Sequence, residues 1–246
     1  MLKENITAIT SEQMAEVDRL MIEAFHIDLA QMMENAGRHL ATLAFSQLNV
    51  NKMDESTNPQ VSILIGPGHN GGGALTAARY LSNWGVSVTV ILLQPVGKLR
   101  VVPKTRWQTL LRLPVRIAMW NEPDVLDILN ASQLIIDGML GYNQQGNPYG
   151  AIGEVINLVN LNSVMVLSLD VPSGLDATTG ISGEPCLKSN MTLTLALPKT
   201  GLVNTSGSAY CGELYLADIG VPPVLYIHLG LSEQHLFKDN PILKFD

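Results

Sequence analysis

Three short stretches hold the residue types that can do chemistry. The first is Gly66-Pro-Gly68-His69-Asn70-Gly71-Gly72-Gly73, with five glycines around an imidazole and an amide. Glycine lets the backbone take positive φ and lets a ligand approach the main chain closely. Gly66, Gly68 and Gly71 fit G-x-G-x-x-G. Free N–H groups at the start of a following helix, with its dipole, favour an anion such as phosphate. A tight turn without any ligand fits the same residues. The second stretch is Leu134-Ile-Ile-Asp137, followed by Gly138-Met-Leu-Gly141-Tyr142-Asn143-Gln144-Gln145-Gly146-Asn147. The third is Val166-Leu-Ser-Leu-Asp170-Val-Pro-Ser173-Gly174-Leu-Asp176. Each leading aspartate ends an apolar run, where a carboxylate is desolvated and reactive, holds a cation, or caps a loop. Asn70, Asp137 and Ser173 offer hard oxygen ligands, suited to an alkali or alkaline-earth cation rather than zinc. Asp170 is left for acid or base work. Lys199, in Leu195-Ala-Leu-Pro-Lys-Thr-Gly, either reaches a phosphate or lies on the surface.

These residues need strands that deliver them to a common edge. The spacing predicts strands at 61–65, 86–93, 114–118, 134–138 and 164–169, alternating with helices at 75–84, 104–112, 122–130 and 150–160. Alternation of this kind implies parallel strands joined by crossover helices, with ligands bound beyond the strands' carboxyl ends. Met191–Leu197 and Glu213–Asp218 read as further strands joined by a glycine-rich connection and extending the sheet edge. Ahead of the first strand, helical spacing covers residues 10–25, with a cap at Thr10-Ser11-Glu12-Gln13, and then residues 30–49. This helical segment must pack on the sheet's outside or on a partner chain, and its methionines read as packing residues. Residues 51–60 read as a polar loop, and the tail from Tyr226 carries no signal. A single domain over 1–246 is expected. The second strand runs into Gln94-Pro95 without the acid that would hold a ribose, which disfavours ordinary NAD-dependent hydride transfer.

Composition narrows the classes further. Hydrophobic content of 46% with 15% charge describes a globular chain rather than a disordered one. A net charge of −7 argues against nonspecific nucleic-acid binding. Lys98, Arg100, Lys104, Arg106, Arg112 and Arg116 nevertheless crowd one stretch, as a solvated helix face or a phosphate-steering patch. Cys186 and Cys211 alone make no disulfide framework, and no His/Cys cluster suits zinc. The N-terminus lacks an apolar signal region, and no apolar run nears the roughly 20 residues that span a membrane. The expected compartment is the cytoplasm.

In order along the chain, G-P-G-x-N-G-G, D-x-x-x-G, L-D-V-P-S-G, P-K-x-G and A-D-I-G-V-P resemble the YjeF N-terminal domain family, the NAD(P)H-hydrate epimerases. The resemblance runs from Met14-Ala-Glu-Val-Asp18 and Met33-Glu-Asn-Ala-Gly37 to Pro222. It implies a Rossmann-like three-layer αβα sandwich, a homodimer, and interconversion of the R and S epimers of hydrated NADH and NADPH. A dehydratase, fused C-terminally in many bacteria, completes that repair; this chain ends before such a domain, so a separate dehydratase is the expected pathway partner. By the same resemblance His69, Asn70, Gly71, Gly72 and Gly73, the loop from Gly141 to Asn147, and Asp170 contact the substrate. Asn70, Asp137 and Ser173 bind one potassium ion per subunit. Epimerising a hydroxyl on a carbon next to nitrogen needs a proton donor that later accepts, and Asp170 is the candidate.

The chain departs from the family pattern in two places. Where the family reads N-N-G-G-D-G, this sequence has His69-Asn70-Gly71-Gly72-Gly73-Ala74, with no acid at position 73. That loss implies weakened catalysis, changed ligand preference or an inactive nucleotide-binding scaffold, with His69 available as a titratable substitute. The loop from Tyr142 to Asn147 lacks the usual small and basic residues.

Overall fold

The computed structural model describes residues 6–48 and 59–245. Helices α1 (Ser11–Glu23) and α2 (Leu29–Gln47) come first. There follow β1 (Gln60–Ile65), α3 (His69–Asn83), β2 (Ser87–Leu92), α4 (Val101–Leu110), β3 (Arg116–Met119), α5 (Val125–Ala131), β4 (Leu134–Gly138), α6 (Gly150–Asn160) and β5 (Met165–Leu169). The last third adds β6 (Met191–Leu195), α7 (Thr200–Val203), α8 (Thr205–Cys211), β7 (Glu213–Ala217) and β8 (Ile242–Lys244). The strands form one sheet in the order β3-β2-β1-β4-β5-β6-β7-β8, parallel except where β8 runs against β7. The chain winds outward from β1 to β3 and then returns to place β4 on β1's other side. The tips of β1 and β4 therefore flank the switch point, where open sheets of this kind leave a crevice.

The strands are apolar on both faces, as a sheet covered on two sides requires. Ile63, Ile65, Val90, Ile136 and Leu167 point into one core with Leu40 of α2, Leu75 of α3 and Trp107 of α4. Leu64, Ile91, Ile135 and Val166 point the other way, against Val125 of α5 and Val155 and Ile156 of α6. This makes the three-layer α/β sandwich. No helix among the described residues is long and apolar enough to cross a membrane.

The N-terminal helices complete the fold within this chain. Both start with reciprocal caps, Thr10 with Gln13 and Asp28 with Gln31, which satisfy otherwise free N–H groups. Helix α2 lies on α3, while α1 packs beyond the strand tips, its Met14, Val17 and Met21 against Leu197, Ile219 and Leu225.

Several boundaries differ from the sequence reading. Helix α3 begins at His69, not Leu75, so the three consecutive glycines form its first turns. Close packing outweighs their poor helix propensity: a Cβ on Gly73 would lie 2.9 Å from Leu169 Cδ2. Helix α4 starts at Val101 rather than 104, and β6 stops at Leu195 because Ala196 turns with φ +64°. The glycine-rich connection to β7 is two short helices, and the uninformative tail supplies edge strand β8. Asn49 and most of the polar loop, 51–58, lie outside the described residues.

Candidate active site

Asp170 follows β5 directly and takes the left-handed region, φ +66°, which Asp tolerates better than most residues. Its N–H donates to Leu193 O at 2.8 Å, so the chain turns at the strand tip and points the carboxylate across the sheet edge. There Lys199 Nζ ion-pairs with Oδ1, and the Tyr142 amide donates to Oδ2 at 3.2 Å. Lys199 is neither a surface lysine nor free to bind phosphate: it is fully buried. Its ammonium donates to Asp170, to Leu195 O at 2.9 Å and to Thr194 Oγ1 at 3.3 Å, which uses all three protons. The N-terminal segment seals it in, through Ile9 N–H to Pro198 O and Thr200 N–H to Ile9 O, each 2.9 Å.

Asn70 joins this edge to the next strand. Its amide nitrogen donates to Leu140 O at 2.8 Å, after β4, and to Leu169 O at 3.1 Å, beside Asp170. Asn70, Asp137 and Asp170 thus stand at the same end of the sheet. Gly66 makes the approach possible, since a Cβ there would sit 1.9 Å from Met139 O. The Leu140 amide donates to Ser173 Oγ at 3.0 Å, and Ser173 Oγ donates to Asp137 at 2.7 Å. Asp137 is wholly buried and also accepts from Ser168 Oγ (2.8 Å), Ser173 N (2.9 Å) and Met139 N (3.1 Å). Burial pushes its carboxyl above the usual range, and these bonds oppose the shift. No Lys, Arg or His among the described residues ion-pairs with it. The side-chain oxygens of Asn70, Asp137 and Ser173 are hard ligands of the kind an alkali cation takes, while two hydroxyls and two backbone N–H groups already meet the Asp137 carboxylate.

A cavity of about 490 Å³ opens over these tips. Of the residues singled out in the sequence, His69, Asn70, Gly73, Gly141, Tyr142, Asn143, Gln144 and Asp170 line it. Gly71 and Gly72 are buried inside α3, and Asp137 and Ser173 lie beneath the floor. Gln145, Gly146 and Asn147 do not reach the cavity wall; Asn147 instead accepts from the Glu184 amide at 3.1 Å. Gln144 ties its loop to the next one, donating to Leu175 O and accepting from Gly174 N at 2.9 Å.

Sequence reasoning missed part of the wall. Asp18 on α1 lines the cavity and accepts a 2.6 Å hydrogen bond from the Tyr142 hydroxyl. One signal was available: an acid set in the stripe of Met14, Val17 and Met21. Met14, Met32, Met33 and Ile219 add apolar wall. The basic stretch is not one face. Lys98 and Arg100 line the cavity, while Arg106 turns to Ala30 O and Glu34, and Arg116 pairs with Asp124. Arg100 Nη1 lies 3.4 Å from His69 Nε2. Burial first, and the guanidinium second, hold the His69 imidazole below its usual pKa.

Comparison with known proteins settles the kinship. The profile of the YjeF-related protein N-terminus matches residues 29–201. The chain belongs to that family. Among YjeF-related relatives, an NAD(P)H-hydrate epimerase of Dehalogenimonas lykanthroporepellens is 40% identical over 92% of this chain and 87% of its own length. A bifunctional NAD(P)H-hydrate repair enzyme of Moorella thermoacetica is 32% identical over 88% of this chain, which spans 41% of that longer protein. The crystal structure of the yeast protein ynu0 superposes over 98% of this chain and all of its own, with a TM-score of 0.85 at 22% identity, a likeness of fold.

Proposed function

We propose that this YjeF-related protein is an NAD(P)H-hydrate epimerase that interconverts the R and S epimers of hydrated NADH and NADPH. The observation that carries the reading is Asp170, ion-paired with the buried Lys199, in the wall of a cavity also lined by Asn70 and Gly141. Kinship with the 40%-identical epimerase supports it. The reaction needs the hydroxyl to leave a carbon beside nitrogen and return on the other face. Asp170 is placed to exchange a proton with it, and Lys199 keeps a balancing charge within contact. The Tyr142 amide fixes the second carboxylate oxygen, so the group is held rather than free to rotate. The apolar methionines exclude water from the reacting ring.

Asn70, Asp137 and Ser173 would hold one potassium ion. When bound it would supply the counter-charge that Asp137 lacks and steady the two loops that Ser173 and Leu140 join. A homodimer in the cytoplasm, working beside a separate dehydratase, completes the proposal; the bifunctional relative supports the pairing with repair.

A second reading, a nucleotide-binding scaffold, draws on Gly73: no carboxylate stands at that point of the wall. One assay separates them. Purified protein is mixed with the R epimer of hydrated NADH and an S-specific dehydratase, and NADH recovery is followed. Recovery above the dehydratase-only rate supports the epimerase; binding without recovery favours the scaffold.

A further inference from the structure

Asp18 has no part in the mechanism above, yet it shares the cavity with Asp170. It sits one helical turn after Met14, on the side of α1 that faces the strand tips. Its Oδ2 accepts from the Tyr142 hydroxyl at 2.6 Å, while Oδ1 takes no hydrogen bond from the described residues. Tyr142 thus spans the two carboxylates, its hydroxyl on Asp18 and its amide on Asp170. Their surroundings differ. Asp170 faces a buried ammonium, whereas among the described residues the Tyr142 hydroxyl is the single donor to Asp18. Burial raises the Asp18 carboxyl, with the Tyr142 hydrogen bond and Lys199 opposing and Asp170 adding to the rise. Two carboxyls in one site with opposed environments is the arrangement that divides acid from base roles.

Resting on the epimerase reading, we infer that Asp18 is the second proton-handling carboxyl of the site, protonating the hydroxyl as it leaves. The C–O bond breaks with its electron pair on oxygen, the Asp18 proton completes a water molecule, and the ring nitrogen's lone pair closes a C=N⁺ bond. Asp170 balances that cation. Water then adds to the opposite face and gives its proton to the Asp170 carboxylate, and exchange with solvent returns a proton to Asp18 before the next turnover. Nothing is oxidised or reduced.

The groups facing Asp18 are Tyr142, Asp170 and Lys199. The Pro223–Leu229 turn packed on α1 carries Tyr226, which feels Asp218, and His228, which meets Phe25 edge-on at 6.2 Å. On α1 itself, Arg19 pairs outward with Glu16 and Glu23.

The test measures epimerisation by wild type, Asp18→Asn and Tyr142→Phe across pH, with NADPH binding followed by fluorescence. Asp18→Asn should lower kcat about 100-fold or more, with KM and NADPH affinity within about threefold. Tyr142→Phe removes a bond that stabilises the carboxylate, so it should move the alkaline limb of the kcat profile to higher pH and cost at least about tenfold less than Asp18→Asn. An active wild type with Asp18→Asn at its rate overturns the role of Asp18 alone. So do equal losses in both variants with an unmoved limb, which would make Asp18 a prop for Tyr142. An inactive wild type overturns the epimerase reading and this inference with it. If Asp18→Asn fails to fold, the Tyr142→Phe limb decides: a shift supports the inference and an unmoved limb ends it.

Discussion

Asp170 and Lys199 come from the tips of adjacent strands and meet as an ion pair from which water is almost entirely excluded. Removing one member strands the other's charge in the interior, at a cost of about 3–5 kcal/mol. Lys199→Met should therefore lower the urea-unfolding free energy by about that amount. Adding Asp170→Asn to it should recover a large part, because no lone charge remains. A double variant no more stable than Lys199→Met contradicts this coupling.

For turnover, Asp170→Asn keeps the shape and the Tyr142 contact but cannot exchange the proton. Epimerisation should drop at least about 100-fold, in line with acid–base contributions. Near-wild-type turnover in a coupled dehydratase assay removes Asp170 from the mechanism.

Asp137 makes stability depend on pH and on cations. Its folded carboxyl titrates above its ordinary value of 3.8 because it is buried. The folded state therefore keeps a proton that the unfolded chain releases, and Asp137's share of stability falls as pH rises from 3.8 through the raised value. Potassium at Asn70, Asp137 and Ser173 would offset that loss. At pH 7.5, melting in potassium chloride should exceed melting in tetramethylammonium chloride, and Asp137→Asn should abolish the difference. Identical melting curves for the wild type argue against the ion.

His69 and His39, the latter on α2 with its Nδ1 2.9 Å from Asp218 O, act at milder acidity. Both titrate below the usual 6.5, chiefly because burial disfavours their charged forms. As pH falls below 6.5 the unfolded chain gains protons that the folded chain refuses, so stability declines. Urea titrations between pH 7.5 and 5 should show this slope, and His69→Asn should flatten part of it. If His69 also replaces the missing acid at Gly73, the same variant will change the pH–rate profile; an unchanged profile ends that idea.

Much of this architecture was readable because its signals are local. The apolar runs ending at Ile65, Asp137 and Leu169 become β1, β4 and β5, and alternation with helices fixes parallel pairing. Asn70, Asp137, Asp170 and Ser173 stand out in the sequence for the same reason, each lying at or just beyond such a run or in the glycine-rich stretch. What escaped depends on contacts distant in sequence. Lys199 reads as either a surface or a ligand lysine until β6 is set beside β5 and brings it to Asp170, 29 residues earlier in the chain. The start of α3 at His69 defies local propensity because Leu169 and Ala36 crowd the glycine at 73. Asp18 reaches the site only because α1 folds back over the strand tips, which no periodicity announces.

The left-handed backbone at Asp170 has an evolutionary consequence. That conformation costs a side-chain-bearing residue roughly 1–2 kcal/mol, a toll glycine escapes. Glycine at 170 would escape that toll but leave the buried Lys199 ammonium unpaired, a larger loss, so selection for heat tolerance would harden the scaffold only by replacing both residues. The carboxylate is thus shielded by its partner, and a laboratory lineage screened solely for ruggedness should discard this chemistry only through a coupled change at 170 and 199.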